Sequence, residues 1–307
     1  MAIPLYVVGS SNTDLVVKAE RLPIPGETVI GGTFLMNPGG KGANQAVTAA
    51  RLGSTVTLIA RVGNDLFGKQ ALQQFEREKI NTKFVTTDTE CPSGVALIGV
   101  DANGENSILV APGANSQLDI RVVEEALESI NDPAIVLLQL EIPIHIVEFV
   151  IERSYEKKLQ VILNPAPVQK LHEKIFQHLY LITPNEFEAE MLTGVKVIDV
   201  KTAEEAALRM HKKGTPNVVI TLGQKGAYIH TDTMAKLIPV PPVTAVDTTA
   251  AGDCFNGALA VALCEGNELS EAVAFACKSA SVSVTRMGAQ SSLPYRKEVN
   301  GIGLISH

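Results

Sequence analysis

The sequence has no window approaching the ~20 consecutive apolar residues that a membrane-crossing helix needs. It has no CxxC pair, and only four cysteines, Cys91, Cys254, Cys264 and Cys277, none at a zinc-like spacing from histidine. Their plainest reading is small core hydrophobes in a reducing compartment. Positive charge is also short: 26 Lys and Arg stand against 33 Asp and Glu, a net charge of −7. That balance removes any general attraction to nucleic acid or to an anionic membrane. A phosphorylated ligand would have to be held by local backbone N–H groups instead. Met1–Leu5 carries no basic stretch before the first apolar run, so the expectation is a cytoplasmic chain. No internal repeat, low-complexity tract or linker interrupts the 307 residues, and a single domain over 1–307 is expected. Hydrophobic residues make up 46% and charged residues 19%, enough for a sizeable core.

What is present is a rhythm. Short apolar runs, Leu5–Gly9, Val56–Arg61, Ile135–Leu140, Val161–Leu163, Leu179–Ile182 and Val218–Leu222, suit strands buried on both faces of a parallel sheet. Between them lie stretches of helical period: Ala43–Leu52, Gly68–Glu78, Ile120–Ser129, His145–Lys157, Phe187–Leu192 and Thr202–Lys213. The alternation predicts an α/β fold with a doubly wound, mostly parallel sheet. Two segments break the rhythm. Val16–Met36 alternates apolar and polar residues among Pro23, Pro25, Gly26, Gly31 and Gly32. Val95–Val110 reads as two strands around Asp101-Ala102-Asn103-Gly104. Both fit a small separate β-sheet, spanning about 14–37 and 92–112.

In open parallel sheets ligands bind beyond the carboxyl ends of the strands. Residues just past the runs include Asn12, Asp14, Glu141, Asn164, Asn185, Glu188 and Thr221–Gly226. A turn former or a helix cap explains any one of these. Their common location at one end of the sheet is harder to dismiss. Two glycine-rich segments join them. Pro38–Asn44 opens an Ala-rich helix but fails as a phosphate loop of the Walker type, with Leu35 where glycine is needed and Gly42 after the lysine. It also fails the dinucleotide pattern, which would need glycine at Gln45. Glycine there allows close backbone approach, and Lys41 and Asn44 can donate to hydroxyl groups. Asp247–Asp253 runs into a second helix. Small residues at a helix N-terminus expose unpaired N–H groups suited to phosphate. Asp253 would repel that phosphate unless it accepts a proton from a hydroxyl nucleophile.

At this point the sequence resembles the ribokinase family of sugar kinases from Leu5 to about Pro294. The match rests on GGKGANQA at Gly39–Ala46, NPAP at Asn164–Pro167, Asn185 with Glu188, TLGxxG at Thr221–Gly226 and DTTAAGD at Asp247–Asp253. The resemblance implies an α/β sandwich with a β-sheet lid that pairs into a homodimer. It implies ATP-dependent phosphorylation of D-ribose at its 5-hydroxyl, with deoxyribose, another pentose or a nucleoside as alternative acceptors. A sugar-binding regulator without catalysis is the remote alternative. By the same resemblance Asp253 is the catalytic base, and Ala250, Ala251 and Gly252 form a backbone anion hole. Asn12, Asp14, Gly40, Lys41, Asn44 and Glu141 hold the sugar. Asn185, Thr221, Gly223 and Gly226 hold ATP together with Gly252 and Asp253, while Glu188 arranges Mg²⁺ indirectly. Asp247, Thr249, Ser283, Arg286, Gly288 and Ser292 form a site for K⁺ or a similar monovalent cation, mostly through carbonyls. Many relatives carry glycine in place of Ala250, a difference that matters only if the loop needs a positive φ there. Cys277 lies where the family packs adenine.

Overall fold

A computed structural model of the chain describes residues 2–301. Among the described residues thirteen strands are formed: β1 Leu5–Val8, β2 Asn12–Lys18, β3 Thr33–Gly39, β4 Val56–Gly63, β5 Asn81–Asp88, β6 Gly94–Val100, β7 Asn106–Ala111, β8 Ile135–Leu138, β9 Gln160–Leu163, β10 Leu181–Ile182, β11 Asn217–Thr221, β12 Ala227–His230 and β13 Ala235–Ile238. Nine α-helices accompany them among the described residues: α1 Lys41–Arg51, α2 Leu66–Arg77, α3 Ile120–Glu128, α4 Ile144–Glu156, α5 Glu186–Thr193, α6 Val200–Lys212, α7 Ala251–Cys264, α8 Leu269–Ser283 and α9 Arg296–Gly301.

Nine strands form the main sheet in the order β13-β12-β11-β10-β9-β8-β1-β4-β5. Every pairing from β5 to β11 is parallel, and β12 and β13 add an antiparallel edge. The central strands are apolar throughout because both faces are covered. Leu5 and Val7 of β1 pack with α1, α7 and α8, while Val8 joins the opposite core layer with α3, α4 and α6. The same alternation holds in β8, where Ile135 and Leu137 face one layer and Val136 and Leu138 the other. These are the strands and helices expected from periodicity. Strand β5, the β12–β13 edge and helices α8 and α9 were not foreseen. In β5 only Phe84 and Asp88 are buried, so it lacks the apolar run that marks a central strand.

The two segments that broke the rhythm form a separate four-stranded sheet in the order β3-β2-β6-β7. Strands β2 and β3 pair antiparallel from Asn12↔Gly39 to Lys18↔Thr33, and β6 lies parallel to β2. Just three residues, Gly9 to Ser11, separate β1 of the main sheet from β2 of the small one. The small sheet leaves large apolar side chains in solvent, among them Phe34 at 61%, Leu97 at 49% and Leu109 at 69% exposure.

Helix starts differ in a way that locates the chemistry. Helices α2, α3, α5 and α6 begin with Asp65, Asp119, Asn185 and Asp199, each accepting from a first-turn N–H. Helices α1, α4, α7 and α8 have no side-chain cap, and of these α1 and α7 start after residues of positive φ, Gly40 at 87° and Ala250 at 59°. These are the two glycine-rich segments.

Candidate active site

Asp253 lies in the first turn of α7 and is 7% exposed. Its Oδ2 accepts from Asn44 Nδ2 at 2.9 Å and its Oδ1 from Gln45 Nε2 at 3.0 Å. Burial pushes its pKa up, while the Lys41 ammonium and the two amides pull it down; burial wins and the net shift is upward. The carboxyl is therefore poised to take a proton more readily than an exposed aspartate. The N–H groups of Ala250, Gly252 and Asp253 meet no backbone acceptor among the described residues, whereas that of Ala251 donates to Thr248 O at 3.1 Å. Of the three residues expected to form the anion hole, Ala251 thus contributes no free N–H in this conformation. Ala250 does adopt a positive φ, so the alanine holds the left-handed conformation for which a glycine would be the easier residue.

The start of α1 is built the other way. Lys41 N donates to Glu141 Oε2 at 3.0 Å, Gly42 N to Ser10 Oγ at 3.4 Å and Ala43 N to Ser10 O at 2.8 Å. Ser10 Oγ donates to the same Glu141 oxygen at 2.6 Å. The close fit requires Gly42, because a Cβ there would sit 2.6 Å from the backbone of Gly9 and Ser10. With its N–H groups used internally, this helix start offers side chains to a ligand. The Lys41 ammonium stands 3.7 Å from Glu141 Oε1. Burial lowers its pKa, but the carboxylates of Asp253, Glu141 and Glu188 outweigh that and raise it, so it stays charged.

Asp14 projects from β2 over Gly39 and is 9% exposed. Its carboxylate accepts no hydrogen bond from the described residues. Burial first, then the neighbouring Glu141 and Asp253, raise its pKa to about 6 against the pull of Lys41. Asn44 Oδ1 is likewise buried with no partner. Buried polar atoms are rarely left unpaired in a finished structure. A carboxylate and an amide oxygen without partners, with the Lys41 ammonium close enough to act on the carboxylate, supply the acceptors and the donor that a polyhydroxylated ligand needs. Asn12 is fixed from outside this set by Asn115, whose Nδ2 donates to Asn12 Oδ1 at 2.7 Å.

The expected nucleotide residues line up next along the same sheet end. Asn185 caps α5 in a reciprocal box: Glu188 N donates to Asn185 Oδ1 at 2.8 Å, and Asn185 N and Nδ2 donate to the Glu188 carboxylate at 2.9 and 3.0 Å. Glu188 is buried, which raises its pKa, and it is close enough to feel Lys41 and Asp253. Asn185 bridges to Thr221, which opens the turn carrying Gly223 at φ 53° and Gly226 at φ 105°. A Cβ on Gly226 would lie 2.0 Å from Ile238 O, so the turn is fixed against β13.

Asp247 ties two segments together. Its Oδ1 accepts from Thr249 N at 2.9 Å and Thr249 Oγ1 at 2.6 Å, and its Oδ2 from Gly288 N at 2.9 Å. These bonds, with Lys18 nearby, outweigh burial and hold its pKa below the ordinary value. Ser283 and Ser292 donate their hydroxyls to Ala280 O and Ala289 O, and Arg286 pairs with Glu298 at 2.7 Å. The Arg286 guanidinium has no acceptor to offer, so any share it takes in a cation site falls to its carbonyl. Cys277 is 3% exposed within the core layer, and burial pushes its thiol up to about 12.

Sequence reasoning missed Ser10, Gln45, Asn115, Gln139, Thr183 and Asn256. Gln45 and Asn44 are polar residues in an Ala-rich helix where every position from Gly42 to Ala49 is buried. Polar residues on such a face were the available signal.

The comparisons with known proteins agree with this geometry. The family model described as "pfkB family carbohydrate kinase" matches residues 4–296. A ribokinase of Haemophilus influenzae is 43% identical over 294 residues, covering 96% of each chain. The crystal structure of a Thermotoga maritima ribokinase superposes with a TM-score of 0.89 at 40% identity, covering 97% of this chain and 98% of that one. An Arabidopsis thaliana ribokinase, solved with ribose and ATP, gives a TM-score of 0.87 at 34% identity over 98% of both chains.

Proposed function

Because the chain belongs to the pfkB family of carbohydrate kinases, we propose that it transfers the γ-phosphoryl group of ATP to the 5-hydroxyl of D-ribose. One observation carries the reading. A buried carboxylate, Asp253, stands beside unpaired N–H groups at the start of α7 and is bound by Asn44 and Gln45 of α1, with the unpartnered Asn44 Oδ1 and Asp14 carboxylate on the sugar side. Asp14, Lys41, Asn44, Glu141 and Asn12, with the backbone at Gly40, hold the sugar. Asn185 and the Thr221–Gly226 turn hold the nucleotide. The sugar hydroxyl then faces Asp253, which accepts its proton as the oxygen attacks phosphorus and ADP leaves in line. The free N–H groups of Gly252 and Asp253 receive the charge that develops on the phosphoryl oxygens. The demand of buried Asp14 and Lys41 for partners penalises acceptors with fewer hydroxyls.

Among the described residues no three His, Cys, Asp or Glu side chains converge as a metal cage. Glu188 fits an indirect role toward Mg²⁺: Asn185 occupies one side of each carboxylate oxygen and leaves further lone pairs for a metal-bound water. Mg²⁺ there would neutralise phosphate charge. Asp247, held between Thr249 and Gly288, suits a monovalent cation in the same way, with oxygen capacity to spare beside the carbonyls of both segments. Such an ion would brace the loop that carries the anion hole. Its effect would appear in kcat, and equal rates in K⁺, Na⁺ and a bulky quaternary ammonium ion at constant ionic strength would remove it. The small sheet serves as the lid, and its exposed Phe34, Leu97 and Leu109 suit pairing with a second lid in a homodimer. Light scattering showing a monomer at micromolar concentration, with and without ribose, would count against that. The main reading is tested by coupled ADP release over pentoses, hexoses and nucleosides. Ribose should turn over fastest; ribose failing while another acceptor reacts overturns the substrate.

A further inference from the structure

Beneath Asp253 runs a chain of buried amides that the reaction as described does not use. Gln45 is fully buried in α1, and its Nε2 donates both to Asp253 Oδ1 at 3.0 Å and to Asn164 Oδ1 at 3.1 Å. Its Oε1 accepts from Gln139 Nε2 at 2.5 Å, so the amide has a partner on every side. Asn164 Nδ2 continues to Thr183 O at 3.4 Å, Thr183 Oγ1 to Asn256 Oδ1 at 2.5 Å, and Asn256 Nδ2 to Gly252 O at 2.9 Å. The chain leaves the Asp253 carboxylate, crosses under the strand ends and returns to the carbonyl of the preceding residue.

We propose that Gln45 is a positioning residue that holds the Asp253 carboxylate through Oδ1, keeping it ionised and turned so that Oδ2, on the Asn44 side, meets the proton of the substrate hydroxyl. The orientation of the Gln45 amide is forced. Turned over, its oxygen would face both the Asp253 carboxylate and Asn164 Oδ1, whereas Gln139, whose Oε1 has no partner, could turn with it. Each Asp253 oxygen accepts one N–H and keeps further lone-pair capacity; what separates them is position, Oδ1 against the fully buried Gln45 and Oδ2 against Asn44 of the sugar set. Oδ2 accepts from Asn44 Nδ2 at 2.9 Å but keeps a lone pair, and it is the oxygen on the side of the sugar residues. In the transfer the O–H bond of the acceptor breaks, its proton goes to Oδ2, its oxygen bonds to the γ-phosphorus, and the bond from that phosphorus to the bridging oxygen of ADP breaks. The other charged and titratable groups that act on Asp253 are Lys41 on α1, Glu141 after β8, Asp14 on β2, Glu188 on α5 and Cys254 beside it on α7. Among these, Lys41 alone favours the ionised form, so the two amide donors matter to it.

The proposal rests on Asp253 being the base, and its test separates the two. Gln45→Met keeps length and apolar packing but removes both donors. Its kcat should fall about tenfold or more, and the acid limb of its pH profile should move up by roughly one pH unit. KM for the sugar should stay within about threefold. Gln45→Glu, closer in shape, should be worse than Gln45→Met, because it sets an acceptor against the carboxylate. A role in shape alone gives the reverse order. An unmoved acid limb in Gln45→Met, or Gln45→Glu outperforming it, overturns the proposal. Should Gln45→Met not fold, Gln45→Leu, which also lacks the amide, decides: it should move the limb in the same direction, and an unmoved limb overturns the proposal. Asp253→Asn, assayed alongside, identifies which idea has failed. If that variant retains turnover, the base itself is wrong; if it is inactive while the Gln45 limb is unmoved, only the role of Gln45 is wrong.

Discussion

Helices α1 and α7 both start from runs of small residues at the carboxyl end of the same sheet, and both lack a side-chain cap. They nevertheless do opposite things. At α1 the N–H groups of Lys41, Gly42 and Ala43 are taken by Glu141 and Ser10, so what faces the cleft is side chains. At α7 the N–H groups of Gly252 and Asp253 have no backbone acceptor, so what faces the cleft is backbone. The first arrangement recognises hydroxyl groups and the second an anion. A glycine-rich helix start therefore has no fixed meaning. Its function follows from where its N–H groups go, which depends on residues far away in the chain, Ser10 and Glu141 here.

The largest effect expected from breaking this contrast is at Asp253. Asp253→Asn keeps the start of α7 and its free N–H groups but removes the proton acceptor, so kcat should fall by roughly 10²–10⁴ with sugar and nucleotide binding largely retained. Rapid-quench and equilibrium binding measurements on the variant check both halves. Near-normal turnover removes Asp253 from the role of base.

Asp14 comes next, on the hydroxyl side of the contrast. Asp14→Asn loses charged acceptors, and KM for the sugar should rise about 10- to 100-fold with KM for ATP little changed. Its stability should move the other way. A carboxyl with a folded pKa of about 6, above its ordinary 3.8, adds stability below the lower value and loses it as pH rises through the higher. At pH 7.5 ionised Asp14 therefore lowers stability by about 3 kcal/mol, an effect mostly gone near pH 4. The ligand-free variant should melt above the parent at pH 7.5, with the gap narrowing at pH 5. A gap that does not narrow shows that the carboxylate is not the cause.

The same substitution at the two helix starts sharpens the comparison further. Gly42→Ala drives a Cβ into the backbone of Gly9 and Ser10 and should reduce stability by about 1–3 kcal/mol. Gly252→Ala meets no atom within 4 Å in the free protein and should leave Tm almost unchanged. If the α7 start wraps phosphate, Gly252→Ala should still lower kcat, because the methyl group then meets the nucleotide. Equal Tm losses at the two positions would erase the distinction drawn here. The smallest effect is at Ala250, whose φ of 59° disfavours a side chain. Ala250→Gly should raise stability by up to about 1 kcal/mol in denaturant titration, set against the extra freedom of glycine when unfolded.

The parts of the molecule that could be read in the sequence are those with local causes. The buried strands announce themselves as apolar runs, the turn Asp101–Gly104 as a hairpin, and Asn185 with Glu188 as a capped helix start. Ala250 could be read only conditionally, because whether its alanine matters depends on a φ that the residue itself does not dictate. What stayed hidden has distant causes. Asn115 sits in a short helical turn after Pro112 and matters because it meets Ser11 and Asn12, 104 and 103 residues away. Gln45, weighed only as a residue that is not glycine, acquires its role from Gln139, Asn164 and Asp253. The edge strands β5 and β13 lack an apolar run because the sheet ends at each of them, and β12 is only four residues long, Ala227–His230.

The joint between the two sheets has a mechanical consequence. The chain crosses between the sheets at Gly9 to Ser11, Gly40, residues 89–93 and Pro112, all at the end of the small sheet that carries Asn12, so these short links resist sliding and leave rotation about that end. Asn12 and Asp14 lie close to this pivot, while Lys18 and the paired end of β3 lie at the far end of a seven-residue arm. At ~3.3 Å per residue the arm is about 23 Å long, so a turn of about 10° would sweep its tip by about 4 Å and displace Asn12 by only a fraction of an ångström. The sugar contacts can thus stay in register while the outer edge travels, the behaviour of a lever whose fulcrum is also its grip.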